Sequence, residues 1–116
     1  MTMNKEERRS LRQELNEEFS QVQYYSMNLR GLELKRSKLE EIAYSADKET
    51  ISKKVDISLK YTNLMEEIRR SNEAKKKAVK RVSEIIDILI ADTPEPLWAE
   101  INDYYITKYI NPLHSL

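Results

Sequence analysis

Residues 61–89, YTNLMEEIRRSNEAKKKAVKRVSEIIDIL, decide the fold. Within them Tyr61, Met65, Ile68, Asn72, Lys75, Val79, Val82, Ile86 and Leu89 recur at alternating steps of four and three. A 3.5-residue repeat keeps such positions on one seam of a helix, the pattern by which long helices pair in coiled coils. Asn72 and Lys75 are its polar members. On a closed seam they would set register or partner number; on an open one they would reach water. The stretch predicts a helix over about 50–91.

Upstream, Leu11, Leu15, Phe19, Val22, Tyr25, Leu29 and Leu32 recur at steps of three or four, and Leu39 with Ile42 or Ala43 resumes the series. That spacing predicts a second amphipathic helix over about 4–44, roughly 60 Å long. Gly31 interrupts it at a cost of about 1 kcal/mol relative to alanine. Between the helices, Ser45-Ala46-Asp47-Lys48-Glu49 weakens the pattern, with Asp47 as expected N-cap. The joint has neither glycine nor proline, so a continuous rod is the alternative to a hairpin. Downstream, Thr93-Pro94-Glu95 reads as a helix start with Thr93 as N-cap and Pro94 in the first position. This third helix should run over about 94–110 and stop at Asn111-Pro112. The expected architecture is all-α: a single helical domain over 1–116, built as a long antiparallel hairpin with a short C-terminal helix.

Composition agrees. Of 116 residues, 34% are charged, one is glycine and none is cysteine. Tight turns of sheet-rich folds want glycine, so all-β and Rossmann-type folds are disfavoured. Disulfides, thiolate zinc sites and cysteine nucleophiles are excluded. Twenty basic residues balance twenty acidic ones, which argues against a surface that coats nucleic acid or membrane as a whole. The polar start lacks a signal core, and no stretch approaches the ~20 apolar residues of a membrane span. A cytoplasmic protein is expected.

Catalytic chemistry has little to work with. His114 is the only histidine and follows Pro112 closely in the expected tail. Glycine-rich phosphate loops and the Glu-x-x-His motifs of helical di-iron sites are missing. Glu14, Glu17 and Glu18 read as a solvated, ion-paired helix face. The expectation is a non-enzyme with no cofactor and no metal.

Two features point to binding. Leu97, Trp98, Ile101, Tyr104, Tyr105 and Tyr109 form an aromatic-rich face on the third helix. Interface hot spots favour Trp and Tyr, so Trp98, Ile101, Tyr104, Tyr105 and Tyr109 are the expected protein-binding residues. Trp98 is also expected to anchor this helix against the two long helices. The second feature is basic: Arg69, Arg70, Lys76, Lys77, Lys80 and Arg81 fit on one helix face about 140° wide. That strip could neutralise phosphates without reading sequence, making nucleic acid the alternative partner. A two-helix hairpin also leaves an apolar edge, so a homodimer is expected.

The stretch Met27–Ile106, notably Leu32-Glu33-Leu34-Lys35, residues 79–86 (VKRVSEII) and Tyr104-Tyr105-Ile106, resembles the ArpU/RinA-like transcriptional regulators of Gram-positive phages. The resemblance implies a helical scaffold of phage or mobile-element origin, joined in that group to a sigma-factor-like helix-turn-helix. Here ten residues follow Ile106, too few for a groove-reading helix, so direct sequence readout is not expected.

Overall fold

A computed structural model of the chain describes residues 3–46 and 50–116. Its elements are α1 (Lys5–Tyr44), α2 (Ile51–Ala91), a 3-10 turn (Glu95–Leu97), α3 (Trp98–Tyr105), a π turn (Ile106–Ile110) and α4 (Asn111–His114). No strand occurs among the described residues. The two long helices pack against each other as the hairpin predicted above. Their cross-pairs run antiparallel: Arg8 meets Asp92 and Glu14 meets Arg81, while Asn28 meets Ser71 and Glu40 meets Tyr61. Asp47 lies outside the described residues. The start of α2 is capped by Thr50, whose Oγ1 accepts from the Lys53 amide at 3.3 Å.

At the start of α1, Asn4 Oδ1 accepts from the Glu7 amide and Asn4 Nδ2 donates to Glu7 Oε1, both at 2.8 Å. This local pair satisfies one of the helix's orphan donors. Ser45 closes the other end, its hydroxyl donating to the Glu41 carbonyl at 2.8 Å. Gly31 has open space where a Cβ would project, so it serves no close helix approach.

The chain forms two compact units. Unit 1 comprises residues 1–24 and 75–116, and unit 2 comprises residues 25–74. Unit 1 holds the larger core: Leu15, Val82, Ile85, Ile86, Leu89, Tyr105 and Tyr109 are buried, with Leu11, Phe19, Ile101 and Leu113 packed around them. The core of unit 2 consists of Leu32, Leu64 and Ile68, flanked by Leu29, Leu39 and Met65. Asn28 Nδ2 donates to Ser71 Oγ beside it at 2.9 Å.

The buried face of α2 corrects the seam. Leu64, Ser71, Ala78 and Ile85 are buried where Met65, Asn72, Val79 and Ile86 were expected, although Ile86 is buried too. Ile68, Val82 and Leu89 belong to both series. Both series have the 3.5-residue period, so periodicity could not choose between them. Asn72 is exposed, and the polar side chain that enters the face is the small Ser71.

The C-terminal segment departs twice from its expected boundaries. Thr93 is not an N-cap: Pro94 precedes the 3-10 turn, and the Thr93 hydroxyl donates back to the Leu89 carbonyl at 2.8 Å. The hydroxyl thus satisfies one of the open carbonyls at the end of α2. Asn111-Pro112 does not stop the helix either. In a regular α-turn the Pro112 ring would collide with the carbonyl four residues back. The π turn comes immediately before it, with the Asn111 amide bonded to the Ile106 carbonyl, and Pro112 then sits in the first turn of α4. There a missing N–H costs nothing.

These packing assignments predict a contrast. Ile85→Ala, at a fully buried site, should lower unfolding stability by about 2–5 kcal/mol. Ile88→Ala, on the exposed flank, should change it by less than about 1 kcal/mol. Urea denaturation of both variants measures the difference, and equal losses would contradict the buried face described.

Candidate functional site

The aromatic surface expected from the sequence is divided by the fold. Tyr105 and Tyr109, one helical turn apart, are 8% and 4% exposed and belong to the unit 1 core. They are therefore removed from the candidate recognition surface, because a side chain this buried cannot present its ring to a partner. Tyr109 meets Phe19 edge-on at 5.3 Å, and its hydroxyl donates to Asn16 Oδ1 at 2.6 Å. Tyr104 remains half exposed, Trp98 is 43% exposed and Ile101 is half-buried. The Trp98 indole donates to the Thr93 carbonyl at 2.6 Å, which ties α3 to the turn before it.

A cleft of about 510 Å³ opens beside these residues in unit 1. Its α1 wall carries Arg8, Arg12 and Asn16, and its opposite wall carries Leu97, Ile101, Tyr104 and Lys108. Tyr105 and Tyr109 line it from the core side. No carboxylate lines it. Lys108 Nζ donates to Tyr104 Oη at 3.0 Å and lies 5.4 Å and 5.5 Å from the Tyr104 and Tyr109 ring centres. That hydrogen bond raises the lysine above its ordinary pKa, so it stays charged. Burial raises the Tyr105 phenol, against the opposing charges of Arg12 and Arg8, so it keeps its proton at neutral pH.

Sequence reasoning missed Arg8, Arg12, Asn16 and Lys108. The first three follow a four-residue spacing beside the Leu11/Leu15 stripe, a signal that marks a helix flank bordering a buried face. Lys108 was visible as an isolated base in an aromatic segment. What joins them is the docking of the C-terminal segment on α1.

Arg8 is fixed by a structural contact. Its Nε and Nη2 both donate to Asp92 Oδ2, the Nε at 3.0 Å, and the Met3 amide donates to Asp92 Oδ1 at 2.7 Å. The Met3 amide, followed by the Arg8 hydrogen bonds, holds the Asp92 carboxyl below its ordinary range. Arg12, by contrast, has no hydrogen-bond or ion-pair partner among the described residues.

The basic residues of α2 fall in both units. In unit 2, Arg69 bonds Glu66 and Glu73, and Arg70 bonds Glu66. The Arg69 hydrogen bonds hold Glu66 down at about 2, with the charges of Arg69 and Arg70 adding to the effect. In unit 1, Arg81 binds Glu14 in a bidentate pair at 2.7–3.3 Å and also reaches Glu84 at 3.5 Å. Lys75 donates to the Leu116 carbonyl at 2.7 Å. Lys76, Lys77 and Lys80 have no hydrogen-bond or ion-pair partner among the described residues.

No group of three or more potential metal ligands gathers among the described residues, and none of their helices is long and apolar enough to cross a membrane. Comparisons with protein-family models, with curated proteins and with solved structures found no match to this chain.

The Asp92 contact gives a pH prediction. A carboxylate whose folded pKa is depressed contributes stability in full above its unfolded value of about 4, and loses it as pH falls through the folded value. The stability deficit of Asp92→Asn should therefore be constant between about pH 5 and pH 8 and shrink below about pH 4. Urea unfolding across that range reads it; a deficit that ignores acid would mean the charge is not what matters.

Proposed function

We propose that this protein is a non-enzymatic helical interaction module that binds a protein partner at the cleft of unit 1. The observation that carries this reading is the combination of half-exposed Tyr104 with Leu97 and Ile101 on one wall of a preformed cleft, with Trp98, 43% exposed, next to Leu97 in the chain though not itself in the lining. Aromatic anchors around an apolar pocket are the composition that dominates interface energetics. Two of the cleft's polar pairs, Tyr109–Asn16 and Arg8–Asp92, already hold the fold together, which suits recognition better than proton transfer. A regulatory role of phage or mobile-element origin is part of the proposal and rests on the sequence resemblance alone.

Protein contact stands ahead of the nucleic-acid alternative because Arg69, Arg70 and Arg81 are each bonded to carboxylates. Three lysines are left, enough for a weak phosphate contact but not for a strip of six bases.

The proposal is tested by affinity capture with the intact chain. Trp98→Ala combined with Tyr104→Ala, both partly exposed, should preserve the circular dichroism spectrum and lose the specific partners. Partners retained by the double variant would move the binding surface away from this wall.

Self-association is a second component of the reading, carried by unit 2. Ile51, Val55 and Leu59 follow a four-residue spacing along α2 and are exposed, as are Met27 and Leu34 on α1. A three-residue buried core beside that much exposed apolar surface favours a second copy as its cover. Light scattering after size exclusion should show a dimer at micromolar concentration, and Val55→Glu with Leu59→Glu should convert it to monomer. A wild-type monomer throughout would remove the dimer.

A further inference from the structure

Resting on the reading of this cleft as a protein-binding site, we propose that its occupant is an acidic segment: a glutamate or aspartate side chain flanked by large apolar residues, its carboxylate held among Arg12, Lys108 and Tyr105. Three independent features of unit 1 support the assignment.

The first is charge. Arg8, Arg12 and Lys108 line the cleft and no carboxylate does. Arg8 is neutralised by Asp92. Arg12 has no hydrogen-bond or ion-pair partner among the described residues, and Lys108 contacts the Tyr104 and Tyr109 phenol rings rather than a carboxylate. Two cations thus face the same cleft without a counter-charge. An incoming carboxylate would gain charge-assisted hydrogen bonds there, and the planar guanidinium of Arg12 can bind it through two donors.

The second feature is Tyr105. Tyr105 is only 8% exposed and lines the cleft; its hydroxyl bonds no described residue, and because no buried side-chain oxygen among the described residues lacks a partner, that hydroxyl reaches the surface. Tyr109 already donates to Asn16, and Tyr104 accepts from Lys108. The Tyr105 hydroxyl is therefore a solvent-accessible donor at the cleft, able to exchange water for an incoming acceptor.

The third is the apolar share of the lining. Leu97 and Ile101, the lining apolar side chains that are not buried in the core, offer nothing to a free phosphate or to a sugar-phosphate backbone, whereas they suit the hydrocarbon beside a peptide carboxylate. A volume of about 510 Å³ accommodates more than one side chain.

The test pans a random peptide library against the intact chain, then measures recovered peptides by fluorescence anisotropy. Acidic residues adjacent to Leu, Ile or Phe should be enriched. Arg12→Gln and Lys108→Met should each weaken such peptides about tenfold or more with an unchanged dichroism spectrum. Replacing the peptide glutamate by glutamine should do the same. If the peptides lack acidic enrichment and bind both variants like wild type, but are lost in Ile101→Asp, the carboxylate assignment falls while the binding cleft stands. If no peptide binds at the cleft, both fall. Competition by inorganic phosphate beyond that of chloride at equal ionic strength would mark a general anion pocket and overturn the proposal.

Discussion

Burial of Tyr105 and Tyr109 against Leu15, Ile85, Ile86 and Leu89 is the contact on which unit 1 depends. Two helices alone can each bury only one stripe, and a third layer must cover what remains. The C-terminal segment supplies it with two large aromatic rings. The Phe19–Tyr109 edge contact and the Tyr109–Asn16 hydrogen bond then fix its rotation about its own axis. Because of that rotation Tyr104, Lys108 and Ile101 face the cleft together with Arg12 of α1. The proposed binding wall is thus a consequence of core packing, one residue away from it along the chain.

The π turn belongs to the same constraint. Pro112 would end a regular helix, yet Ile110 and Leu113 both pack on the core around it. Widening one turn before the proline carries the chain past it, so both sides remain on the buried face. Widened turns also shift the register of the side chains within them, here Lys108 and Tyr109. Asp92, just past the end of α2, gathers the Met3 amide and Arg8. Chain start, inter-helix corner and C-terminal segment therefore converge on one small volume of unit 1.

Unit 2 shows no such third layer among its described residues. Its core is confined to Leu32, Leu64, Ile68 and their immediate flanks, while Ile51, Val55 and Leu59 stay in solvent. The same two helices thus meet two environments: one covered by the C-terminal segment and one that leaves Ile51, Val55 and Leu59 exposed. Ion pairing follows the local supply of acids, with Arg69 held between Glu66 and Glu73 and Arg81 clamped by Glu14. A run of bases in sequence therefore overstates the positive surface that the folded helix presents.

Helix content and the approximate spans of the two long helices were legible without the structure, because they follow from local periodicity and the scarcity of glycine; the hairpin was favoured over a continuous rod only by the weakened pattern at 45–49. Such signals act over three or four residues and need no partner. Periodicity could not tell Leu64 and Ile85 from Met65 and Ile86, since either set keeps the 3.5 spacing; packing against α1 made that choice. Nor could it separate Tyr104 from Tyr105, because neighbours on a helix point about 100° apart and only the docked face says which is inside. Arg12 and Lys108 are distant in sequence and share a cleft only because Tyr105 and Tyr109 seat the C-terminal segment on α1. The elements came from local chemistry; the site came from long-range packing, which no single stretch of the chain encodes.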